Sequence, residues 1–297
     1  IGLAGKRRWM SADKAPAPVG WAEMTVAQAL TAAHEAAVER LDAQLMLAHL
    51  LQRSRSWLMA HDDVALDAPC ARRYVEWLAR RAAGEPLAYL LERAEFCGLT
   101  LQVGPQVLIP RPETELLVEW GLEVLEAQRA ASTPPRVVDL GCGSGAMALA
   151  IQHRFATALV TAADASAPAL DLARRNAEAL ALPITLAHGD WWSAVAGQRF
   201  HLALANPPYV APGDPHLDAL RHEPYSALVA SENGMADLHR LIDAAPAGLH
   251  AGGWLLLEHG HDQGQPVRNR LRQAGFHQIA TRNDLAGLER CTGGRLD

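Results

Sequence analysis

The segment VVDLGCGSGAMALA (137–150) contains the residues whose types and spacing point most directly to chemistry. Gly141, Cys142, Gly143, Ser144 and Gly145 form a turn between an apolar strand and a helix start. The glycines allow a tight turn and close backbone approach, and a helix N-terminus offers unpaired N–H groups to a ligand. Asp139, two positions before the first glycine, can meet a ligand ammonium. Asp164, 23 residues after Gly141, sits where an acid accepts both hydroxyls of a ribose. Asp190, followed by Trp191 and Trp192, offers an edge partner and a face to an adenine ring. An ammonium, a ribose and an adenine together describe S-adenosyl-L-methionine. The spacing Gly141-x-Gly143-x-x-Ala146 also satisfies a permissive dinucleotide pattern, so an NAD(P)-dependent oxidoreductase stays open on these residues. Asn206, Pro207, Pro208 and Tyr209 end a further apolar run, FHLALA. Neither proline can donate to a sheet ladder, so the strand must stop there.

These residues need a scaffold that brings strand ends together. From Val137 onward the pattern alternates between strand and helix. Strands are expected at Val137–Leu140, Leu159–Ala163, Ile184–Ala187, Phe200–Ala205, Trp254–Glu258 and Phe276–Thr281. Helices are expected at Ser144–Phe155, Ala167–Leu180, Met235–Leu249 and Gln263–Ala274. Such alternation implies a doubly wound, mostly parallel sheet with ligands at the carboxyl ends of its strands. Gly141, Asp164, Asp190 and Asn206 then fall at four such ends.

The first third of the chain reads differently. Residues 1–20 have little apolar periodicity and are read as a disordered leader. Residues 21–93 read as a helical bundle. Thr25 with Gln28 forms a capping box, and Asp67 caps a long helix that stops at Gly84. In LDAQLMLAHLLQ, Leu41, Leu45 and Ala48 are expected to share one face, with Leu47, Leu50 and Leu51 broadening it. Residues 94–110 are expected to form a hairpin-like pair around Gly104-Pro105, and residues 111–297 the nucleotide-binding domain.

Composition narrows the classes. Apolar content of 49% and charged content of 20% fit a soluble globular chain with a sizeable core. No run approaches the ~18 apolar residues of a membrane span, so no membrane association is expected. The four cysteines form no C-x-x-C pair, which argues against zinc and disulfides and suits a reducing cytosol. The thirteen histidines show no ligand spacing, and no metal is expected. Residues 1–95 carry 12 basic and 12 acidic side chains, whereas residues 96–297 carry 15 and 21. That balance lacks the basic footprint of a nucleic-acid enzyme.

The segments GEPLAYL (84–90), LIPRPETE (108–115), DLGCGSG (139–145), NPPYV (206–210), HEPYSALVASENGMADL (222–238) and LLLEHGHDQG (255–264) together resemble the peptide-chain release factor glutamine methyltransferase (PrmC/HemK) family. The resemblance implies a Rossmann-like methyltransferase fold with a seven-stranded sheet, and an N-terminal helical bundle joined to it by a β-hairpin. It implies methyl transfer from S-adenosyl-L-methionine to the glutamine of the Gly-Gly-Gln loop of class 1 release factors, by a cytoplasmic monomer. Asn206, Pro207 and Tyr209 would then be catalytic, and Pro208 would complete the substrate site. The Asn206 side-chain oxygen and the Pro207 carbonyl would each take one amide hydrogen, with Tyr209 packed on the amide plane. The close alternatives are methylation of a ribosomal-protein glutamine or of amino groups in DNA or RNA. Pro110 to Glu115 and the strand-end pair Glu258-His259 are read as either cleft-lining or structural.

Overall fold

The computed structural model describes residues 24–128 and 133–297; the expected leader lies outside them. The chain divides into two compact units, Ile1–Leu90 and Leu91–Asp297.

The first unit is helical: α1 (Val26–Glu35), α2 (Arg40–Leu51), α3 (Arg55–Ala60) and α4 (Ala68–Ala82), with α5 (Leu87–Leu91) at its end. The capping box at α1 forms as expected: Thr25 N donates to Gln28 Oε1 at 2.8 Å, and Gln28 N to Thr25 Oγ1 at 3.3 Å. Asp67 Oδ1 accepts from Cys70 N at 2.7 Å to start α4. Ala71, Tyr74, Trp77 and Leu78 form its buried stripe. On α2 the expectation holds only for Leu47. Leu41 is 47% exposed, and the buried face is Ala43, Gln44, Met46 and Leu47. The polar residues Arg40 and Gln44 lie on the side of the helix opposite Asp42 and His49, so periodicity does not select one face. Buried Gln44 is satisfied by the Arg55 guanidinium at 3.1 Å.

In the second unit, β1 (Arg93–Phe96) and β2 (Leu99–Gln102) pair antiparallel. The hairpin turns at Cys97-Gly98 rather than at Gly104-Pro105, because those two residues take the consecutive positive φ values, 48° and 77°, that a two-residue turn requires. The chain then runs through a short 3₁₀ turn at Pro112–Thr114 into α6 (Glu115–Ala127).

The remainder is the alternating fold: β3 (Arg136–Leu140), α7 (Ala146–Arg154), β4 (Leu159–Asp164), α8 (Ala167–Leu180), β5 (Thr185–His188), β6 (Phe200–Ala205), α9 (Ala236–Gly248), β7 (Leu249–Glu258), α10 (Gly264–Gln273), β8 (Phe276–Asn283) and β9 (Glu289–Leu296). The sheet order is β5-β4-β3-β6-β7-β9-β8, and β9 runs antiparallel to both neighbours. Strand order reverses between β3 and β6, which is the switch point where such sheets open a crevice. Side chains alternate across the sheet. Leu202, Leu204 and Leu256 pack under α6–α8, while Ala203, Ala205, Leu255 and Leu257 pack under α9 and α10. Residue reading missed β9. Its ERCTGGRL sequence lacks apolar alternation because neighbours fill its inner face: a Cβ on Gly293 would lie 2.3 Å from Leu256 Cδ2. Among the described residues, no helix is long and apolar enough to cross a membrane.

Candidate active site

A cleft of about 550 Å³ opens at the carboxyl ends of β3, β4, β5 and β6. That size falls within the range of small-molecule sites. Its floor is the glycine turn. Gly141 N and Cys142 N both donate to Ala163 O, at 2.8 and 3.0 Å, which draws the turn onto the end of β4. Gly141 has φ 77°, and a Cβ there would lie 2.8 Å from Trp191 Cζ3. Only glycine allows both that conformation and that approach. Gly141, Cys142, Gly143 and Ser144 all line the cleft. Gly145, φ 81°, instead lets α7 start close against α8, where a Cβ would meet Ala173 Cβ at 3.1 Å.

Asp164 stands on the cleft wall at the end of β4. Its Oδ2 accepts from Gly143 N at 2.9 Å and its Oδ1 from Ser166 N at 2.8 Å. The carboxylate is thus fixed by two backbone donors. Asp139 is placed differently from expectation. It is fully buried and does not line the cleft. Its Oδ2 accepts from Ala148 N at 3.0 Å in the first turn of α7, while Oδ1 has no partner. Burial pushes this carboxyl up to about 7; the Ala148 bond opposes the rise and the Asp164 charge adds to it. Its place is beneath the turn, as the anchor of the helix whose N-terminus faces the cleft.

Asp190 and Trp191 both line the far wall. Asp190 does not present a free carboxylate, because Arg240 on α9 pairs with it. Trp191 takes φ 47°, an uncommon conformation for a bulky residue, and its indole N–H donates to Asp237 Oδ1 at 3.0 Å. Trp192 turns inward, its N–H donating to Leu241 O at 2.9 Å, and belongs to the core.

The tip of β6 completes the site. Asn206 and Pro208 line the cleft. Pro207 is buried and Tyr209 half-buried, and neither is a cleft wall. The expectation that the Tyr209 ring packs on a ligand amide is therefore not what the structure shows. Its hydroxyl donates to Glu258 Oε1 at 3.1 Å and its carbonyl accepts from Gln263 Nε2 at 3.0 Å. Gly234 presses against that carbonyl: a Cβ there would lie 2.0 Å from Tyr209 O. The segment is clamped further by Val210, which bonds Leu228 O and Ala230 N at 2.9 and 3.1 Å.

Asn206 Nδ2 donates to Thr114 Oγ1 at 3.0 Å, and Thr114 Oγ1 donates to Glu258 Oε2 at 2.7 Å. Glu258, at the end of β7, is 1% exposed and accepts from both Thr114 and Tyr209. Burial pushes its carboxyl up to about 7, against the two hydrogen bonds and the Arg290 charge. Burial also pushes the Tyr209 phenol and the Cys142 thiol upward, so both stay neutral.

The residues left open between cleft-lining and structural roles divide in the structure. Pro110, Arg111 and Thr114 line the cleft, whereas Glu258 and His259 lie behind it. Arg111 pairs with buried Glu223, which also accepts from Ile109 N at 3.1 Å and so ties the 109–111 loop to the segment after β6. Asn176 was missed altogether. From α8 it donates to Gln102 O and Ser144 O at 3.0 and 2.9 Å and accepts from Gln102 N at 2.7 Å, joining β2 to the glycine turn. A lone Asn inside a helical pattern gives no signal of such a role.

Family models match both parts of the chain. One described as the PrmC N-terminal domain covers residues 24–91, and one described as the methyltransferase small domain covers residues 114–222. The release factor glutamine methyltransferase of Bordetella pertussis is 45% identical over 260 residues, spanning 86% of this chain and 95% of that protein. Its counterpart in Escherichia coli is 42% identical over 259 residues, spanning 86% and 92%. Among solved structures, the N-terminal domain of human METTL16 in complex with SAH aligns with a TM-score of 0.51 at 16% identity, covering 84% of this chain and 93% of that one. A methyltransferase from Pyrococcus furiosus aligns at 0.50 and 18% identity, covering 74% and 98%. At these identities the two structures share the fold.

Proposed function

The chain belongs to the release factor glutamine methyltransferase family, and from that premise we propose that its cleft transfers a methyl group from S-adenosyl-L-methionine to the side-chain amide nitrogen of a release-factor glutamine. The glutamine is read as that of the Gly-Gly-Gln loop of class 1 factors. The residues present fit the cofactor. A Cβ on Gly141 would fill the cradle, Asp164 is held at the end of β4 with its carboxylate on the cleft wall, and Trp191 lies across the turn. When bound, the cofactor supplies an electrophilic methyl group.

What the chain must supply is a usable nitrogen. An amide lone pair is delocalised into its carbonyl and is a poor nucleophile. Two acceptors that take both amide hydrogens turn the lone pair out of that conjugation and aim it. The observation that carries this reading is the commitment of Asn206 Nδ2 to Thr114, which leaves Oδ1 as an acceptor at the cleft. Pro207 is buried behind the cleft wall, and its carbonyl, which accepts no hydrogen bond from the described residues, is assigned to the second hydrogen on the family resemblance. Two consecutive prolines restrict the backbone that carries it. Cleft carboxylates are otherwise engaged: Asp164 by backbone N–H groups, Asp190 by Arg240, Asp237 by Trp191. A free general base is not required, since the methylated nitrogen is acidic and gives up its proton to water. Catalysis is then alignment, which can be worth several orders of magnitude in rate.

We read the helical unit as the part that recognises the release factor, and the enzyme as a cytoplasmic monomer acting on protein rather than nucleic acid. The acidic balance of residues 96–297 supports a protein rather than a nucleic-acid substrate and the four unpaired cysteines suit a reducing compartment, while the recognition role of the helical unit rests on the family resemblance. Incubation with labelled S-adenosylmethionine and either a class 1 release factor or DNA and RNA tests the reading; label should enter the release factor alone.

A further inference from the structure

Thr114 is 5% exposed and its hydroxyl carries a single hydrogen. That hydroxyl touches two groups, Glu258 Oε2 at 2.7 Å and Asn206 Nδ2 at 3.0 Å. An ionised carboxylate only accepts, so the hydrogen goes to Glu258. The Thr114 oxygen can then only accept, and Asn206 must turn its NH₂ toward it. Were the amide reversed, two oxygens with no hydrogen between them would face each other. The orientation of the amide in the cleft is therefore dictated by the Thr114 hydroxyl on the cleft wall and by the buried Glu258 behind it.

We propose that Thr114 and Glu258 are positioning residues for methyl transfer: ionised Glu258, acting through the one hydroxyl hydrogen of Thr114, holds Asn206 with Oδ1 toward the cleft, and protonation of Glu258 frees that hydrogen and lets the amide turn over. A reversed Asn206 presents a donor to a substrate amide that needs an acceptor. This rests on the reading that Asn206 Oδ1 receives a glutamine amide hydrogen.

The surroundings make Glu258 the group in this network that titrates near neutrality. Its carboxyl is pushed up to about 7 by burial. Facing it are the Tyr209 phenol after β6, Arg290 and the Cys291 thiol on β9, and Glu113 in the 3₁₀ turn. Tyr209 and Cys291 are raised and stay neutral, and Arg290 is raised and stays charged. His259, next in the chain, is lowered by burial and bonded to Thr292. Asp139 also rises to about 7 beneath the glycine turn, so a pH profile of the wild type alone does not assign the titration.

The experiment is single-turnover methylation of a purified class 1 release factor at saturating S-adenosylmethionine, from about pH 5.5 to about pH 9. Wild type should gain rate through pH about 7. Glu258→Gln has no proton to gain, and should lose that acid limb. Thr114→Val should cut the rate by about tenfold or more at every pH while cofactor Kd and release-factor KM move less than about twofold. Thr114→Ser keeps the hydroxyl and should restore the rate. An acid limb that persists in Glu258→Gln, or a Thr114→Val enzyme at wild-type rate, overturns the proposal. Asn206→Ala separates the two layers. If it is inactive while Thr114→Val is not, only the positioning role fails; if it transfers at wild-type rate, the reading of the site falls and the proposal with it.

Discussion

Asn206 Nδ2 lies 3.0 Å from Thr114 Oγ1, a hydrogen bond between residues 92 positions apart. It joins the 3₁₀ turn before α6 to the tip of β6. The bond spends the donor half of the amide on the protein and leaves the acceptor half for the cleft, so the polarity of the site is set by a threonine in a different segment.

Replacing Asn206 with Ala should remove an acceptor used only with the second substrate. Transfer to the release factor should fall by about two orders of magnitude or more, the scale of losing one aligned polar group at a reacting centre. Cofactor affinity by calorimetry should stay within a few-fold of wild type. Similar losses in both would mean that Asn206 holds the cofactor rather than the amide.

Asp164→Ala should do the reverse. The carboxylate is held on the cleft wall by Gly143 N and Ser166 N, where it can accept ribose hydroxyls. Cofactor binding should weaken by at least about 1.4 kcal/mol, one tenfold step. Unchanged affinity in calorimetry removes Asp164 from the cofactor site.

A methyl group on Gly141 meets the Trp191 ring at 2.8 Å and a φ of 77° at once. Gly141→Ala should lower stability by about 1–2 kcal/mol and displace the indole. Chemical denaturation followed by tryptophan fluorescence reads both. A variant as stable as wild type that keeps the wild-type emission spectrum would contradict this account of the turn.

Asn176→Ala deletes three hydrogen bonds at one buried position and leaves Gln102 and Ser144 unanswered. A cost of about 2–4 kcal/mol is expected in denaturant unfolding of the whole chain. Hydrogen exchange should rise at Gln102, whose N–H loses its partner. A loss below about 0.5 kcal/mol would mean that water replaces the side chain.

Glu258 also links stability to pH. Its carboxyl rises from an ordinary 4.5 to about 7 in the folded chain, so the proton is held more tightly folded than unfolded. The associated stability is fully present below pH about 4.5 and is lost as pH rises through about 7. The unfolding free energy of Glu258→Gln relative to wild type should therefore grow between about pH 5 and about pH 8, by on the order of 1–3 kcal/mol. Parallel pH curves for the two proteins would show that Glu258 does not titrate in this window.

The sheet and its ligand-bearing ends were legible because apolar runs and glycine turns mark them locally. Asp164, Asn206 and the 141–145 turn lie where strand-end reasoning put them. What escaped depended on contacts distant in sequence. Strand β9 carries no apolar alternation because Leu256 and Trp120 fill the space above Gly293. The hairpin turned at Cys97-Gly98, where positive φ values decide, and not at the more obvious Gly-Pro. Asp139 and Tyr209 were read as ligand-facing from their place in a motif, yet one anchors α7 and the other reaches back to Glu258. Sequence identifies which residues gather at a strand end; it does not say which way each one turns.

The most direct measurement is fragment-ion mass spectrometry of a class 1 release factor after reaction with S-adenosylmethionine, using wild type and Asn206→Ala side by side. One methyl group on the side chain of the Gly-Gly-Gln glutamine with wild type, and none with the variant, is the expected result. Methylation elsewhere, or equal methylation by both proteins, would contradict the account of how this cleft makes an amide reactive.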